Sequence, residues 1–293
     1  MTQPFPHGVV NDADSVTGIV LKAMSRTPDP RLREILASLV KHLHAFAREA
    51  RPTEEELETG LDFLLRVGKA SGAQKNEMIL LSDLLGLSTL VTMINNSVGG
   101  GETDPALLGP FFRAQSPMCA PGENICRDAR GGEPLTVMGR VTDLEGKAIA
   151  GAIVDVWQAS PVGLYENQDP EQPDRNLRGR FETNSEGRFH LRTVRPLGYP
   201  VPTDGPCGEL LRAQERHPYR PAHIHFMFSK EGFRTLVTQV FANDDNCIAA
   251  DVVFGVTPSL SGEFQRLPDG TVRLEFGFVM QPGTRRIPRA PIP

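Results

Sequence analysis

Two histidines separated by a single residue are the most informative feature of this sequence. They are His223 and His225, in an apolar segment that predicts a β-strand over residues 223–228. Because alternate side chains of a strand point to the same face, the two imidazoles project side by side, roughly 7 Å apart. Two imidazole nitrogens at that spacing on a rigid strand can bind one metal ion, although an isolated pair can also be two surface histidines.

Tyrosine is rare in this chain, and all three tyrosines precede the histidine pair. They are Tyr165, Tyr199 and Tyr219. Two imidazoles and two phenolates would combine neutral nitrogen donors with anionic oxygen donors. That set suits a hard trivalent ion, ferric iron above all, better than zinc. A free tyrosine ionises near pH ~10, so the charge of the metal itself must make phenolate available at neutral pH.

Composition and charge indicate a globular enzyme and exclude several other classes of protein. At 293 residues the chain can bury a large core, and its net charge of -5 argues against nucleic-acid binding. No apolar run has the length of a membrane span, and the N-terminus lacks the pattern of a signal peptide. The four cysteines have neither the spacing of a zinc knuckle nor the density of a disulfide scaffold. We therefore predict reduced thiols in a cytoplasmic protein.

Apolar residues in the first 100 positions repeat at helical spacing. The first stripe comprises Leu32, Ile35, Leu36, Leu39, Leu43 and Phe46. A second helix is predicted to begin at a capping box formed by Thr53 and Glu56. Its apolar face comprises Leu57, Leu61, Leu64 and Leu65. A third apolar segment spans residues 78–94, with an interruption at Gly86, and precedes a glycine-rich linker at residues 99–101.

After residue 133 the pattern changes to short strands with turns rich in glycine and proline, which indicates an antiparallel β-sandwich. The predicted strands cover residues 135–142, 152–157, 188–194, 223–228, 235–241 and 272–280. Two long segments between them, residues 163–186 and 196–219, hold Tyr165 and Tyr199. Connections of that length in a compact domain usually carry function.

These patterns predict an α+β fold with two domains. A helical N-terminal domain is expected over residues 1–104, and a β-sandwich domain that holds the four candidate metal ligands over residues 105–293. The last residues, 283–293, are rich in proline and arginine. That composition predicts a poorly ordered terminus.

Several short motifs, taken as an ordered set, resemble the intradiol ring-cleavage dioxygenases, ferric enzymes that open catechols between the two hydroxyl-bearing carbons. The motifs are residues 163–165, 176–179, 196–200, 220–225 and 238–239. The resemblance runs from the helical N-terminal part to about residue 282. Three further features resemble the hydroxyquinol 1,2-dioxygenases within that family. They are Leu80 with Asp83, residues 108–112 and residues 251–256.

The resemblance implies a role for each matching residue. The metal ligands are Tyr165, Tyr199, His223 and His225. Among the catalytic residues, Arg220 stabilises negative charge on the ring and Gln239 positions the same region. Tyr199 also leaves the metal and accepts a proton from the substrate. The substrate-binding residues are Leu80, Asp83, Leu108, Gly109, Pro110, Phe111, Val201, Pro202 and Val253.

The implied function is cleavage of hydroxyquinol (benzene-1,2,4-triol) to maleylacetate with non-haem Fe(III) and O2, in the catabolism of aromatic compounds. The alternative is a catechol or substituted-catechol 1,2-dioxygenase that produces cis,cis-muconates. The resemblance further implies a homodimer joined through the N-terminal helices, with a phospholipid bound at the interface.

Some of these residues also have purely structural interpretations. Arg220 could be a solvated charge, Gln239 could satisfy a sheet edge, and Asp83 could be an exposed helix residue. If Asp83 instead faces the ring, it could accept a hydrogen bond from the third hydroxyl of hydroxyquinol. Two other classes of protein share part of the pattern. One is a cupin-like metal enzyme with two histidines on a strand, and the other is a non-catalytic β-sandwich binding module.

Overall fold

The structure is a computed structural model that describes residues 6–72, 75–96, 99–128 and 131–292. Its contacts divide the chain into two compact units, Met1–Leu64 and Leu65–Pro293. The domain boundary expected between residues 104 and 105 stays a prediction.

The first unit is helical. It contains α1 (Ser15–Met24), α2 (Pro30–Ala50) and the start of α3 (Glu54–Ala70). The carboxylate of Asp29 caps α2 by accepting hydrogen bonds from the backbone N–H groups of Arg31 and Leu32, at 2.8 and 3.1 Å. The predicted capping box begins α3. The N–H of Thr53 donates to Glu56 Oε2 at 2.7 Å, and the N–H of Glu56 donates to Thr53 Oγ1 at 3.2 Å.

Three further helices belong to the second unit: α4 (Glu77–Leu84), α5 (Leu87–Asn96) and α6 (Pro206–Ala213). The apolar segment predicted as a third helix is two helices, α4 and α5, bent by 77°. Gly86 lies at the bend with a φ of +71°, a conformation that favours glycine. Among the described residues no single helix is long and apolar enough to cross a membrane, although this bent pair meets the same length and composition test.

The second unit also holds all the described strands. They are β1 (Pro134–Thr142), β2 (Ile153–Trp157), β3 (Arg178–Glu182), β4 (Arg188–Val194), β5 (Tyr199–Pro200), β6 (Tyr219–Arg220), β7 (His223–Ser229), β8 (Leu236–Ala242), β9 (Ser261–Gly262), β10 (Phe264–Arg266) and β11 (Val272–Val279). One sheet has the order β10-β11-β1-β4, and a second has the order β3-β2-β7-β8-β9. A two-stranded sheet pairs β5 with β6.

The two larger sheets share one hydrophobic core. Leu135 and Leu274 from the first sheet and Val154, Phe226 and Phe228 from the second belong to the same buried cluster. The predicted α+β class is therefore confirmed. The strands are not all antiparallel, because β1 pairs with β11 and β8 with β9 in parallel. Side-chain alternation is the same in both kinds of pair, so the sequence pattern does not distinguish them.

Strand β7 is buried along its whole length although it carries two histidines. Its side chains alternate between two apolar environments. Ile224, Phe226 and Phe228 face the core between the sheets. Met227 belongs to a second buried cluster, on the other face, that includes Trp157, Tyr165 and Tyr199. His223 and His225 share the parity of Met227, and the strand therefore aims both imidazoles away from the main core.

Candidate metal centre and substrate cavity

The four residues predicted as metal ligands come together beside the outer face of β7. The Nε2 atoms of His223 and His225 are 3.2 Å apart, and the hydroxyl oxygens of Tyr165 and Tyr199 are 3.4 Å apart. The ring centroids of Tyr199 and His223 are separated by 5.6 Å, and those of Tyr165 and His225 by 6.3 Å. All four side chains are buried. We refer to these four residues as the ligand cluster.

Three separate segments hold the cluster, and β7 carries both histidines. Tyr199 lies on β5, which pairs with β6, and Tyr165 precedes a 3₁₀ turn after β2. The ring of Tyr165 stacks on Phe111 with centroids 4.6 Å apart. The ring of His225 stacks on Trp157, which lies opposite it on β2, at 4.8 Å and an angle of 11°. These contacts restrict the rotation of both rings.

A glycine is required next to this cluster. Gly109 has a φ of +77°, and a Cβ atom at that position would lie 3.0 Å from Cε1 of His225. The absence of a side chain therefore allows the loop to pass close to the imidazole.

The tautomer of His223 follows from a neighbouring carbonyl. Its Nδ1 is 2.7 Å from the carbonyl oxygen of Pro221, so Nδ1–H donates and Nε2 keeps its lone pair. Among the described residues, the buried Nδ1 of His225 has no hydrogen-bond partner. Burial, and then the charge of Arg220, lowers the pKa of His223 to about 3, and burial holds the pKa of His225 well below its usual value. Both imidazoles are therefore neutral at physiological pH.

This donor set fits a cation of high charge. Burial, followed by the neighbouring Tyr199 phenol, raises the pKa of Tyr165 well above its usual value, so a phenolate there needs a compensating positive charge. The Nε2 atoms of His223 and His225 are 3.2 Å apart, close enough for one cation to bind both. Within the described ranges no group of three or more His, Cys, Asp or Glu residues could hold a metal, so any metal at this site depends on the phenols.

Arg220 is buried beside the cluster and is held by a carboxylate that sequence reasoning did not identify as functional. Its Nε and Nη2 donate to the two oxygens of Asp251, both at 3.1 Å. Nη2 also donates to Gln239 Oε1 at 2.9 Å, and Gln239 Nε2 donates to the carbonyl of Leu107 at 2.6 Å. Burial by itself would raise the pKa of Asp251, but the charge and hydrogen bonds of Arg220 bring it below its usual value. Arg220 is not the solvated charge that was one of the alternatives, since its side chain is buried.

A cavity of about 610 Å³, here called the central cavity, adjoins the cluster. Tyr199 and Arg220 lie in its wall, whereas Tyr165, His223, His225 and Gln239 do not. Eight of the nine predicted substrate-binding residues line it: Leu80, Asp83, Gly109, Pro110, Phe111, Val201, Pro202 and Val253. Leu108 does not. It packs against the cluster of Phe111 and Trp157, and its neighbour Leu107 lines the cavity.

Asp83 is one of two buried acids in the cavity wall, and the other, Glu166, is paired with Arg113 and Arg178. Asp83 lies near the end of α4 and is only 7% exposed, so it is not the solvent-facing helix residue that was one of the alternatives. Burial raises its pKa to about 6, although a hydrogen bond from Ser88 and the charge of Arg220 act in the opposite direction. Glu77, at the start of α4, accepts a hydrogen bond from the N–H of Cys207 at 3.0 Å and so ties α4 to α6.

Comparison with known proteins identifies the class of enzyme. A family model described as Dioxygenase matches residues 107–282, and one described as Catechol dioxygenase N terminus matches residues 29–103. The 6-chlorohydroxyquinol 1,2-dioxygenase of Cupriavidus pinatubonensis is 45% identical over 92% of this chain and 98% of its own length. The hydroxyquinol 1,2-dioxygenase of a Rhizobium species is 47% identical over 88% of each chain.

A solved structure shows the same likeness. The crystal structure of hydroxyquinol 1,2-dioxygenase from Pseudomonas putida DLL-E4 aligns with a TM-score of 0.87 and 39% identity, over 92% of this chain and 99% of that one. The chain therefore belongs to the intradiol ring-cleavage dioxygenase family, and it is an enzyme. Membership of this family rules out the cupin-like enzyme and the non-catalytic binding module.

Proposed function

We propose that this enzyme cleaves hydroxyquinol between its adjacent hydroxyl-bearing carbons with O2 and a ferric ion, and that maleylacetate is the product. One observation carries the proposal: two buried imidazoles and two buried phenols adjoin a cavity whose wall contains the buried acid Asp83. The names of two similar proteins, at 45% and 47% identity, support hydroxyquinol over catechol as the substrate.

The proposed ligands of the ferric ion are Tyr165, Tyr199, His223 and His225. When bound, the ion supplies the positive charge that favours the doubly deprotonated diol and makes its ring reactive towards O2. The neutral state of both imidazoles supports this assignment, because nitrogen ligands bind through an unprotonated lone pair.

The two tyrosines have different proposed roles because their access to the cavity differs. Tyr199 lies in the cavity wall, where as a phenolate it would accept a proton from an entering diol and become a neutral phenol. Tyr165 is buried under Phe111 and does not line the cavity, so it stays a ligand throughout. Arg220 also faces the cavity. With its guanidinium held rigidly by Asp251, it is placed to stabilise negative charge that develops on the ring.

Asp83 is the proposed source of selectivity for the triol. A buried carboxylate in the wall can accept a hydrogen bond from the third hydroxyl, which catechol lacks. Leaving a buried acceptor unpaired costs about 1–3 kcal/mol. The preference for hydroxyquinol should therefore depend on this one side chain.

Replacing Asp83 by alanine should lower the ratio of kcat/KM for hydroxyquinol to that for catechol by about 5- to 100-fold. Asp83→Asn keeps an acceptor oxygen and should give an intermediate ratio. Both ratios are measured by oxygen uptake with each substrate. An unchanged ratio in Asp83→Ala would show that the third hydroxyl is recognised elsewhere.

The reaction itself is tested by oxygen uptake of the iron-loaded enzyme with hydroxyquinol and catechol at equal concentration, while the absorbance of the product is followed. Strong preference for hydroxyquinol supports the proposal. Preference for catechol, with a muconate as product, would replace the proposed substrate but keep the reaction class. Turnover of neither would contradict the proposed substrate class.

We also propose a homodimer joined through the N-terminal helices. Five of the six residues in the apolar stripe of α2 are solvent-exposed in the single chain, from 46% at Leu32 to 61% at Phe46, and the sixth, Leu36, is half-buried. Four leucines of α3 are similarly exposed: Leu57, Leu61, Leu64 and Leu65. Contiguous apolar surface of this kind is typical of protein–protein interfaces.

The double variant Leu39→Glu, Leu43→Glu should be a monomer, because two charges would be desolvated at the centre of the α2 stripe. Light scattering after size-exclusion chromatography measures the mass. Lys41→Glu places the same charge on α2 outside the stripe and should remain a dimer. A wild-type protein that is monomeric at micromolar concentration would contradict the proposal.

Two further proposals concern the surroundings of the enzyme. A phospholipid bound at the dimer interface is supported by the same exposed apolar stripes. Mass spectrometry of an organic extract of the purified protein tests it, and an extract without lipid would contradict it.

A cytoplasmic location is supported by the four cysteines, all of which are free thiols. Fractionation of cells tests the location.

A further inference from the structure

The end of the chain follows a defined path along the catalytic unit. After β11, the N–H of Arg234 donates to the carbonyl of Gln281 at 2.9 Å, and the N–H of Gly283 donates to the carbonyl of Gly232 at the same distance. Further along, the N–H of Arg286 donates to Thr235 Oγ1 at 3.1 Å. We call residues 281–292 the C-terminal tail. Composition alone predicts a poorly ordered terminus here, but the tail is anchored beside the start of β8.

The tail ends at the central cavity. Ala290 and Ile292 pack against the buried cluster that includes Phe111, Tyr165 and Tyr199. Pro291 and Ile292 lie in the cavity wall. The tail therefore contributes apolar surface to the same cavity that Tyr199, Arg220 and Asp83 line.

The volume of the central cavity and the polarity of its wall indicate which part of a ligand the C-terminal tail contacts. A cavity of about 610 Å³ lies in the range that holds ligands larger than a single ring, so space remains around a bound triol. In the proposed binding mode the adjacent hydroxyls lie at the ligand cluster and the third hydroxyl at Asp83. The remaining ring positions then face the other walls of the cavity. The C-terminal tail contributes Pro291 and Ile292 to those walls.

We propose that Pro291 and Ile292 are specificity-determining residues, which form an apolar wall for substituents on the ring and limit their size. The substrates concerned are hydroxyquinols with a chloro or alkyl substituent. This inference rests on the proposed function. The predicted signature is a change in the ratio of kcat/KM between substituted and unsubstituted triols.

Ile292→Ala should raise kcat/KM for a bulky alkyl-substituted hydroxyquinol, relative to hydroxyquinol, by about tenfold, because truncation of this cavity-wall side chain leaves room for the substituent. Ile292→Trp should lower the same ratio. A chain that ends at Ala290 lacks both wall residues and should resemble Ile292→Ala. The matched control is Ile287→Ala, which removes the same atoms from an exposed tail position outside the cavity wall and should leave the ratio unchanged.

Binding is measured separately from turnover. Trp157, the only tryptophan of the chain, stacks on His225, so its fluorescence reports on ligands at this site without oxygen present. The ratio of Kd values for substituted and unsubstituted triols should shift in the same variants. A shifted Kd ratio without turnover in any variant would contradict the proposed reaction. It would still support the proposal that the C-terminal tail forms a wall of the cavity. Unchanged Kd and kcat/KM ratios in Ile292→Ala, Ile292→Trp and the shortened chain would overturn the tail proposal.

Discussion

Replacing Tyr165 by phenylalanine is expected to remove bound iron and ring cleavage together. The change deletes only the phenol oxygen, so the stacking on Phe111 at 4.6 Å can persist and the fold should be kept. Losing a group that merely supports a metal ligand costs about 10- to 100-fold in affinity or activity. Losing the ligand itself should therefore lower activity by more than about 100-fold.

Tyr219→Phe is the matched control, because it makes the same change on a tyrosine that is 46% exposed and lies outside the ligand cluster. It should retain full iron content and activity. Iron is measured by elemental analysis of the purified proteins. Quenching of Trp157 fluorescence on addition of iron gives a second measure, because this ring lies 4.8 Å from that of His225. Retention of iron and oxygen uptake in Tyr165→Phe would contradict the proposed ligand set.

Replacing Asp251 by alanine is expected to destabilise the catalytic unit by about 3–5 kcal/mol, because it leaves the buried guanidinium of Arg220 without its carboxylate. The side chains of Arg220 and Asp251 are only 6% and 2% exposed, so water cannot replace the lost partner. Asp251→Asn keeps one acceptor oxygen, so its free energy of unfolding should fall by less than that of Asp251→Ala. Urea unfolding, followed by circular dichroism, measures the free energy of unfolding.

Glu34→Ala breaks an exposed ion pair with Arg31 and should cost no more than about 1 kcal/mol. This control separates the effect of burial from that of losing an ion pair. Asp251→Asn should also lower kcat more than it raises KM, because Arg220 is proposed to act on charge that develops during the reaction. If Asp251→Ala is as stable as the control variant, the Asp251 carboxylate does not compensate the charge of Arg220.

Some features of the site are local enough to be predicted from sequence. The shared face of His223 and His225 follows from the period of a strand, which depends on three consecutive residues. The start of α3 follows from Thr53 and Glu56, whose reciprocal hydrogen bonds span a single turn. The expectation of a ferric ion follows from residue type, since phenols and imidazoles are donors wherever they lie.

Other features required contacts between distant parts of the chain. Asp251 follows Arg220 by 31 residues, and nothing in the local pattern pairs these two side chains. The stacking of Trp157 on His225 depends on the pairing of β2 with β7. Candidate substrate-binding residues could be named only through the resemblance to a known family. One of them differs in the structure, where Leu107 rather than Leu108 lines the cavity wall.

The sequence by itself determined the donor types, the strand that presents two imidazoles and the change from helices to strands, because each depends on residues within a few positions of one another. The tertiary structure alone decided that Asp251 holds Arg220, that β1 pairs in parallel with β11 and that the tail reaches the central cavity. These features depend on chain topology, since a strand pattern does not specify its partner and an apolar residue such as Ile292 does not specify the surface against which it packs.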